Sequence, residues 1–267
     1  MKTMFAFMLF CSIMSAKAEL VNLVRDGDAE SGKTENWSGV SVVTDDVKNG
    51  KKCFKSTAGK VISRELIPVS LDKKYELSAY IKAVNDADET IYFGLIPFDK
   101  DKHEISSYNV TKLPEKNTDT ELVEKCSPES QNIKVKNASN WVTGNFRCIA
   151  FDIKKDSSDL PNYNISLPGV SKIQKKEGYW EVTLKKPCGK AYPAGTKVRE
   201  HTASLDHIFI FLNKAVPDEW TLFSGKIKSG THIKDFWPGT AFVKVVIYCN
   251  PPDSGILFDD ITLKELK

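Results

Sequence analysis

The 267-residue chain contains no His-Glu-x-x-His and no Gly-x-Ser-x-Gly. The sequence signatures of zinc peptidases and α/β serine hydrolases are therefore absent. Its four histidines, His103, His201, His207 and His232, stand singly, and a lone histidine is usually structural. There is no excess of charge: the formal net charge is +3 with 27% charged residues, the balance of an ordinary soluble surface. Nothing in that balance calls for nucleic acid or an anionic membrane as partner. Beyond the N-terminal segment no stretch is apolar enough to span a bilayer, no helical pattern exceeds two turns, and no segment repeats. Cysteine is sparse and widely spaced, which excludes a zinc knuckle or a Cys-x-x-Cys redox pair.

What is present begins with a processing signal. Met1-Lys2 gives a positive start, Met4 to Met14 is apolar apart from Ser12, and Ala16-Lys17-Ala18 is a small-x-small cleavage site. The apolar run is shorter than the ~20 residues of a spanning helix. Residues 1–18 are thus expected to be a signal peptide, with export to the periplasm, cell surface or medium. Removing Cys11 leaves Cys53, Cys126, Cys148, Cys188 and Cys249. An odd number cannot all pair, so up to two bridges are possible and at least one thiol is free. Cys53 and Cys249 lie in strand-like runs and read as small buried apolar residues.

The remainder, 19–267, alternates with period two in many short segments separated by turn residues. This predicts an all-β, antiparallel β-sandwich: a single monomeric domain with an elaborated region around 99–215. On Tyr75–Lys82, Tyr75, Leu77, Ala79 and Ile81 alternate with Glu76, Ser78, Tyr80 and Lys82. On Thr90–Phe98, Ile91, Phe93 and Leu95 alternate with Tyr92, Gly94, Ile96 and Phe98. With Asn85–Asp88 as a turn, the two segments predict a hairpin. The last strand, Gly255–Leu263, carries a fault: strict alternation puts Asp259 on the face of Leu257, Ile261 and Leu263. A buried carboxylate needs a metal, a cation or backbone N–H donors. A second acidic cluster, Asp26-Gly27-Asp28-Ala29-Glu30, lies near the other end, and the two ends are expected to meet.

Asn22-Leu23-Val24-Arg25-Asp26-Gly27-Asp28-Ala29-Glu30-Ser31-Gly32 followed by Trp37, the strand Tyr75-Glu76-Leu77-Ser78-Ala79-Tyr80-Ile81-Lys82, and the closing Phe258-Asp259-Asp260-Ile261-Thr262-Leu263 resemble three motifs of one family. These are carbohydrate-binding modules with the galactose-binding-like jelly roll. Asp26 departs from the family's Asn and Ala29 from its Phe. The resemblance implies a calcium ion tying the first turn to the last strand, with Asp28, Glu30 and Asp259 as ligands and loop carbonyls completing the shell. Without a metal, Asp28 is a turn cap and Asp259 accepts backbone N–H bonds.

A sugar site pairs aromatic planes with a few hydrogen-bonding groups. The faces turned away from the core carry Tyr80, Tyr92 and Tyr248, with Lys244 at the edge. If their strands adjoin, these side chains form a platform; if the 99–215 region covers them, they form a second core layer. Trp237 could present its ring from Phe236-Trp237-Pro238-Gly239 or plug the sandwich. Lys197, Arg199 and His201 form a basic strand that could meet acidic sugars. The expected function is non-catalytic binding of a polysaccharide or other glycan. A structural or adhesive surface module, and a jelly-roll lyase or glycosidase, are the alternatives.

Overall fold

Tyr75, Leu77, Ala79 and Ile81 all enter one hydrophobic core, while the residues between them face away from it. Ile91, Phe93 and Leu95 enter the same core from the opposite side. Successive side chains of a strand point to opposite faces, so each segment contributes one layer. In the computed structural model, residues 20–84, 89–110, 117–230, 232, 234–252 and 255–267 are described. The signal-peptide segment and the Asn85–Asp88 turn lie outside them.

In chain order the strands are β1 (Trp37–Ser38), β2 (Val40–Val43), β3 (Cys53–Ser56), β4 (Lys60–Ser63), β5 (Ile67–Pro68), β6 (Lys74–Lys82) and β7 (Thr90–Phe98). A single helical turn, α1 (Ser107–Val110), leads to β8 (Thr120–Glu121), β9 (Asn132–Val135), β10 (Arg147–Phe151), β11 (Val170–Lys175), β12 (Trp180–Leu184) and β13 (Lys197–Thr202). The chain closes with β14 (Ile208–Ala215), β15 (Thr221–Ile227), β16 (Phe242–Asn250) and β17 (Leu257–Leu266).

A six-stranded sheet runs β1-β4-β16-β7-β14 with β5 also on β16, and a five-stranded sheet runs β15-β6-β17-β3-β2. Their ladders are antiparallel. Their inner faces share a core that includes Trp37, Phe54, Phe93, Phe236, Trp237 and Phe258. This is the expected antiparallel jelly-roll sandwich. The expected β6–β7 hairpin does not form, because the two strands belong to opposite sheets. The link between them crosses the sandwich alongside Val216 and Pro217, where Ala83 N–H donates to Pro217 O and Val216 N–H donates to Glu89 O.

The insertion between β7 and β14 has its own core. Two three-stranded sheets, β10-β13-β8 and β11-β12-β9, close over Ile133, Val135, Ile149, Phe151, Val182, Leu184 and Val198. Phe151 and Tyr192 stack within it at 3.8 Å. The insertion ends earlier than the sequence pattern placed it. Ile208 and Ile210 already lie in the main core, and β14 pairs with β7. Beyond Ile210 β14 departs from strict alternation. Register shifts flank Phe211, Asn213 has φ +47°, and Leu212 is exposed while Phe211 packs against the core.

The two chain ends do meet. Leu23 N–H donates to Leu263 O, Ile261 N–H donates to Gly27 O, and the Asn22 side chain bonds both Leu263 N–H and Ile261 O. A Cβ on Gly27 would stand 2.1 Å from Ile261 O, so only glycine permits this approach. The fault in β17 resolves differently from strict alternation. Asp260 adopts φ +48° and the register shifts between Asp259 and Thr262. This bulge places Phe258, Ile261 and Leu263 in the core and turns Asp259 outward beneath the 45–52 turn. Asp259 is 0% exposed. Its Oδ2 accepts from Lys48 N–H at 3.2 Å and Asn49 N–H at 3.0 Å, and its Oδ1 accepts from Asp260 N–H at 2.8 Å.

Burial raises the Asp259 carboxyl to about 6 against the opposing pull of these donors. The folded chain therefore holds a proton that the unfolded chain releases near pH ~4. The contribution of this group to stability is fully present below about pH 4 and is lost as pH rises through about 6. Thermal melts of wild type and Asp259→Asn at about pH 4.5 and about pH 7.5 isolate it. The wild type is expected to lose on the order of 2 kcal/mol relative to the variant over that interval. Parallel pH profiles would contradict this account.

Candidate functional site

The outer face of the six-stranded sheet gathers aromatic rings from three strands. Tyr92 on β7 sits directly opposite Tyr248 on β16, and Phe209 on β14 sits opposite Gly94 of β7. Gly94 is required there, since a Cβ would lie 2.0 Å from Ile208 O. Phe209 packs edge-on to Tyr92 at 5.6 Å and tilts against Tyr248 at 5.7 Å. His207 stacks on Tyr248 at 5.8 Å. Beneath them Ile96, Phe209 and Val246 form a small buried layer on which Ile62, Phe98 and Leu205 rest.

This layer is walled on one side and open on the other. Ser204, Leu205 and Asp206, the last residues of the insertion, form the wall. Together with Tyr92, Phe209 and Tyr248 they line a cavity of about 330 Å³. Ile96 and Val246 are buried, whereas Tyr92 and Tyr248 are half-buried at the cavity. Cations flank the rings, with Lys60 Nζ 5.0 Å from the Tyr248 ring centre and Lys244 Nζ 5.5 Å from that of Phe98.

One polar relay fixes the Tyr248 hydroxyl. His207 Nδ1 lies 2.6 Å from Asp206 O, an atom that only accepts, so Nδ1 carries the proton. Burial lowers the His207 pKa, which keeps the ring neutral and leaves Nε2 as an acceptor. The Tyr248 hydroxyl therefore donates to Nε2 at 3.0 Å, and its oxygen lone pairs remain available to a ligand. The arrangement offers apolar ring faces, an oriented hydroxyl and two ammonium groups. Among the described residues Asp206 is the single carboxylate lining the cavity. Hydrolysis of a glycosidic bond ordinarily uses two.

The predicted ligand residues divide three ways. Tyr92, Tyr248 and Lys244 share this face. Tyr80 does not join them, because β6 lies in the other sheet; its ring sits under Lys48 at 4.8 Å, opposite Asp259. Trp237 is 0% exposed in the main core, so it plugs the sandwich and presents no ring to solvent. Phe209, His207 and Lys60 were not read as site residues. His207 and Phe209 share a face by their period-two spacing, and the β14–β7 pairing shows what that face adjoins. The basic strand is also not a surface. Arg199 and His201 are buried, Arg199 pairs with Asp159 at 3.0 Å, and burial pulls the His201 pKa down to about 4. Lys197 pairs with Glu121 at a second cavity, of about 470 Å³. Among the described residues that cavity has no aromatic lining.

The carboxylates expected to hold calcium are occupied otherwise. The three Asp259 bonds come from N–H groups. Glu30 Oε1 accepts from Lys51 and Lys52 N–H at 2.8 and 2.9 Å, which lowers its pKa. Asp28 Oδ1 caps the turn at Glu30 N–H, 3.3 Å away. Lys52 Nζ donates to Glu30 O at 3.0 Å, so an ammonium already sits where loop carbonyls would receive a cation. Asp28, Glu30 and Asp259 thus lie in a joint built from backbone N–H donors and Lys52, and their oxygens do not gather within 4.8 Å of one another. Among the described residues the only group of acidic or histidine ligand atoms within 4.8 Å of one another is Asp99, Asp101 and His103. There the buried Asp99 accepts from Tyr163 Oη and from the Asp101 and His103 N–H groups.

No family model matches the chain, and no curated protein matches it. Among solved structures it is similar to the CBM22-1 xylan-binding domain of Paenibacillus barcinonensis Xyn10C, at 10% identity and a TM-score of 0.39, over 90% of this chain and 92% of that one. It is also similar to the CBM22-1-CBM22-2 tandem domain of the same protein, at 10% identity and a TM-score of 0.40, over 94% of this chain and 48% of that one.

Because N–H donors and Lys52 fill the joint between the chain ends, stability is expected to be independent of calcium. Melts in EDTA and in millimolar Ca²⁺ should coincide within about 1 °C. A calcium-dependent rise of several degrees, of the kind mass action gives a ligand bound only by the folded state, would return a metal to the joint.

Proposed function

We propose that the chain is a non-catalytic carbohydrate-binding module that holds a polysaccharide segment against Tyr92, Phe209 and Tyr248. The observation that carries this reading is the open cavity of about 330 Å³ floored by those rings. A pyranose presents axial C–H groups that pack on an aromatic plane and equatorial hydroxyls that need donors and acceptors at its rim. The Tyr248 hydroxyl at the cavity, with Lys60 over the same ring, supplies polar groups of the kind those hydroxyls need. A single lining carboxylate favours binding over hydrolysis. Export of the chain, expected from its first 18 residues, would bring it to such a ligand, and the reading needs only one copy.

Titration against a panel of soluble neutral and acidic polysaccharides tests the reading. Tyr92→Ala and Tyr248→Ala should each weaken binding about 5- to 10-fold, the range expected for losing one ring contact. Tyr80→Ala, on the opposite sheet, should leave affinity unchanged. Equal loss in all three variants, or none in the first two, would remove this face as the site. Release of reducing ends from any polysaccharide in the panel would instead make the protein an enzyme.

A further inference from the structure

The five cysteines among the described residues are buried thiols, and two of them differ from the rest. Cys126 and Cys188 both belong to the core of the insertion. They lie on loops held side by side. Cys126 and Tyr192 exchange both backbone hydrogen bonds at 2.8 Å, Cys188 N–H donates to Ser130 O at 2.8 Å, and Gly189 N–H donates to Pro128 O at 2.8 Å. Burial first and the neighbouring Cys188 thiol second push the Cys126 thiol up to about 12, and Cys126 Sγ lies 3.4 Å from Ser127 O. The other three have different surroundings. Cys53 Sγ lies 3.8 Å from Asp46 O under the 45–52 turn, Cys249 is in the main core, and Cys148 lies on β10 near Glu200.

We propose that Cys126 and Cys188 form a disulfide in the exported protein, joining the 126–130 and 188–192 loops across the end of the inserted sandwich. The odd cysteine count is then accounted for by one bridge and three buried thiols. The oxidant is a disulfide, either glutathione disulfide or the active-site disulfide of an oxidoreductase. One cysteine attacks as thiolate, forms a mixed disulfide and releases one thiol. The second cysteine displaces the other sulfur. Two thiols are thereby oxidised to one disulfide, and two electrons and two protons leave with the reduced partner. The exchange belongs to the stage before the loops close, since the thiolate is the nucleophile and burial suppresses it. The bridge encloses a long loop, so its main effect is to restrict the unfolded chain.

The test needs no knowledge of the sugar ligand, so its outcome is separate from that of the binding reading. The full chain is refolded from the reduced state in a glutathione redox buffer, the free thiols are alkylated, and the peptides are mapped. Expected is one linked pair of peptides carrying Cys126 and Cys188, with Cys53, Cys148 and Cys249 alkylated. Reduction of the folded protein should lower its melting temperature by about 5–15 °C. The Cys126→Ala/Cys188→Ala double variant should melt no lower than either single variant and should ignore reductant. Alkylation of both Cys126 and Cys188, or linkage of either to another cysteine, would overturn the proposal, and mapping decides this even if a variant fails to fold.

Discussion

A carboxylate removed from water has to be surrounded by donors, and around Asp259 that requirement organises the end of the sandwich. Desolvation costs several kcal/mol, and hydrogen bonds to a charged group return ~1.5–3 kcal/mol each. Three N–H groups therefore offset the burial without overcoming it, which is why the carboxyl titrates near 6 and not below its ordinary value. The donors come from Lys48, Asn49 and Asp260. The carboxylate thus pins the 45–52 turn onto the last strand. Glu30 does the same to the other side of that turn through Lys51 and Lys52. Backbone amides and one lysine thereby do the work that a divalent cation can do in such a joint.

With the ends held, the two sheets are free to differ on their outer faces. The five-stranded sheet is closed over by the 45–52 turn, where Tyr80 lies under Lys48 and Lys82 pairs with Asp46 at 2.6 Å. The six-stranded sheet carries a thin second hydrophobic layer with tyrosines at its margin. Only the latter couples aromatic planes to an open cavity and an oriented hydroxyl. The inserted sandwich has a core of its own, while the segment leading into it sends Ile105 and Val110 into the main core and bonds back to the inserted sheets, with His201 Nδ1 2.6 Å from Tyr108 O and Asn162 N–H donating to Asn109 O at 2.8 Å.

Much of the fold was legible because it is written in local periodicity. The inward and outward residues of β6 and β7 follow from alternation alone, and so does the all-β class. The pairing of those strands was not legible: whether a turn closes a hairpin or crosses a sandwich depends on partners more than a hundred residues away. This single ambiguity moved Tyr80 from the platform to the opposite sheet. At Asp259 the alternation was misleading, because one residue with positive φ shifts the phase of the strand and adjacent aspartates carry no strong signal for a bulge. The Arg199–His201 strand reads as exposed for a related reason. Its neighbours are polar or turn-forming in sequence, but the elements that bury it arrive from elsewhere in the chain.

The insertion leaves from β7 and returns on β14, and these strands are antiparallel neighbours with Leu95 opposite Ile208. Topologically, then, residues 99–207 are the loop of one hairpin, grown to the size of a small domain. The entropic cost of closing a loop rises only logarithmically with its length, so the parent hairpin tolerates such growth. The final residues of that loop, Ser204 to Asp206, form the lip of the tyrosine-lined cavity. A lineage can therefore exchange or reshape the insertion, and with it the width of that cavity, while leaving every strand of the parent sandwich in register.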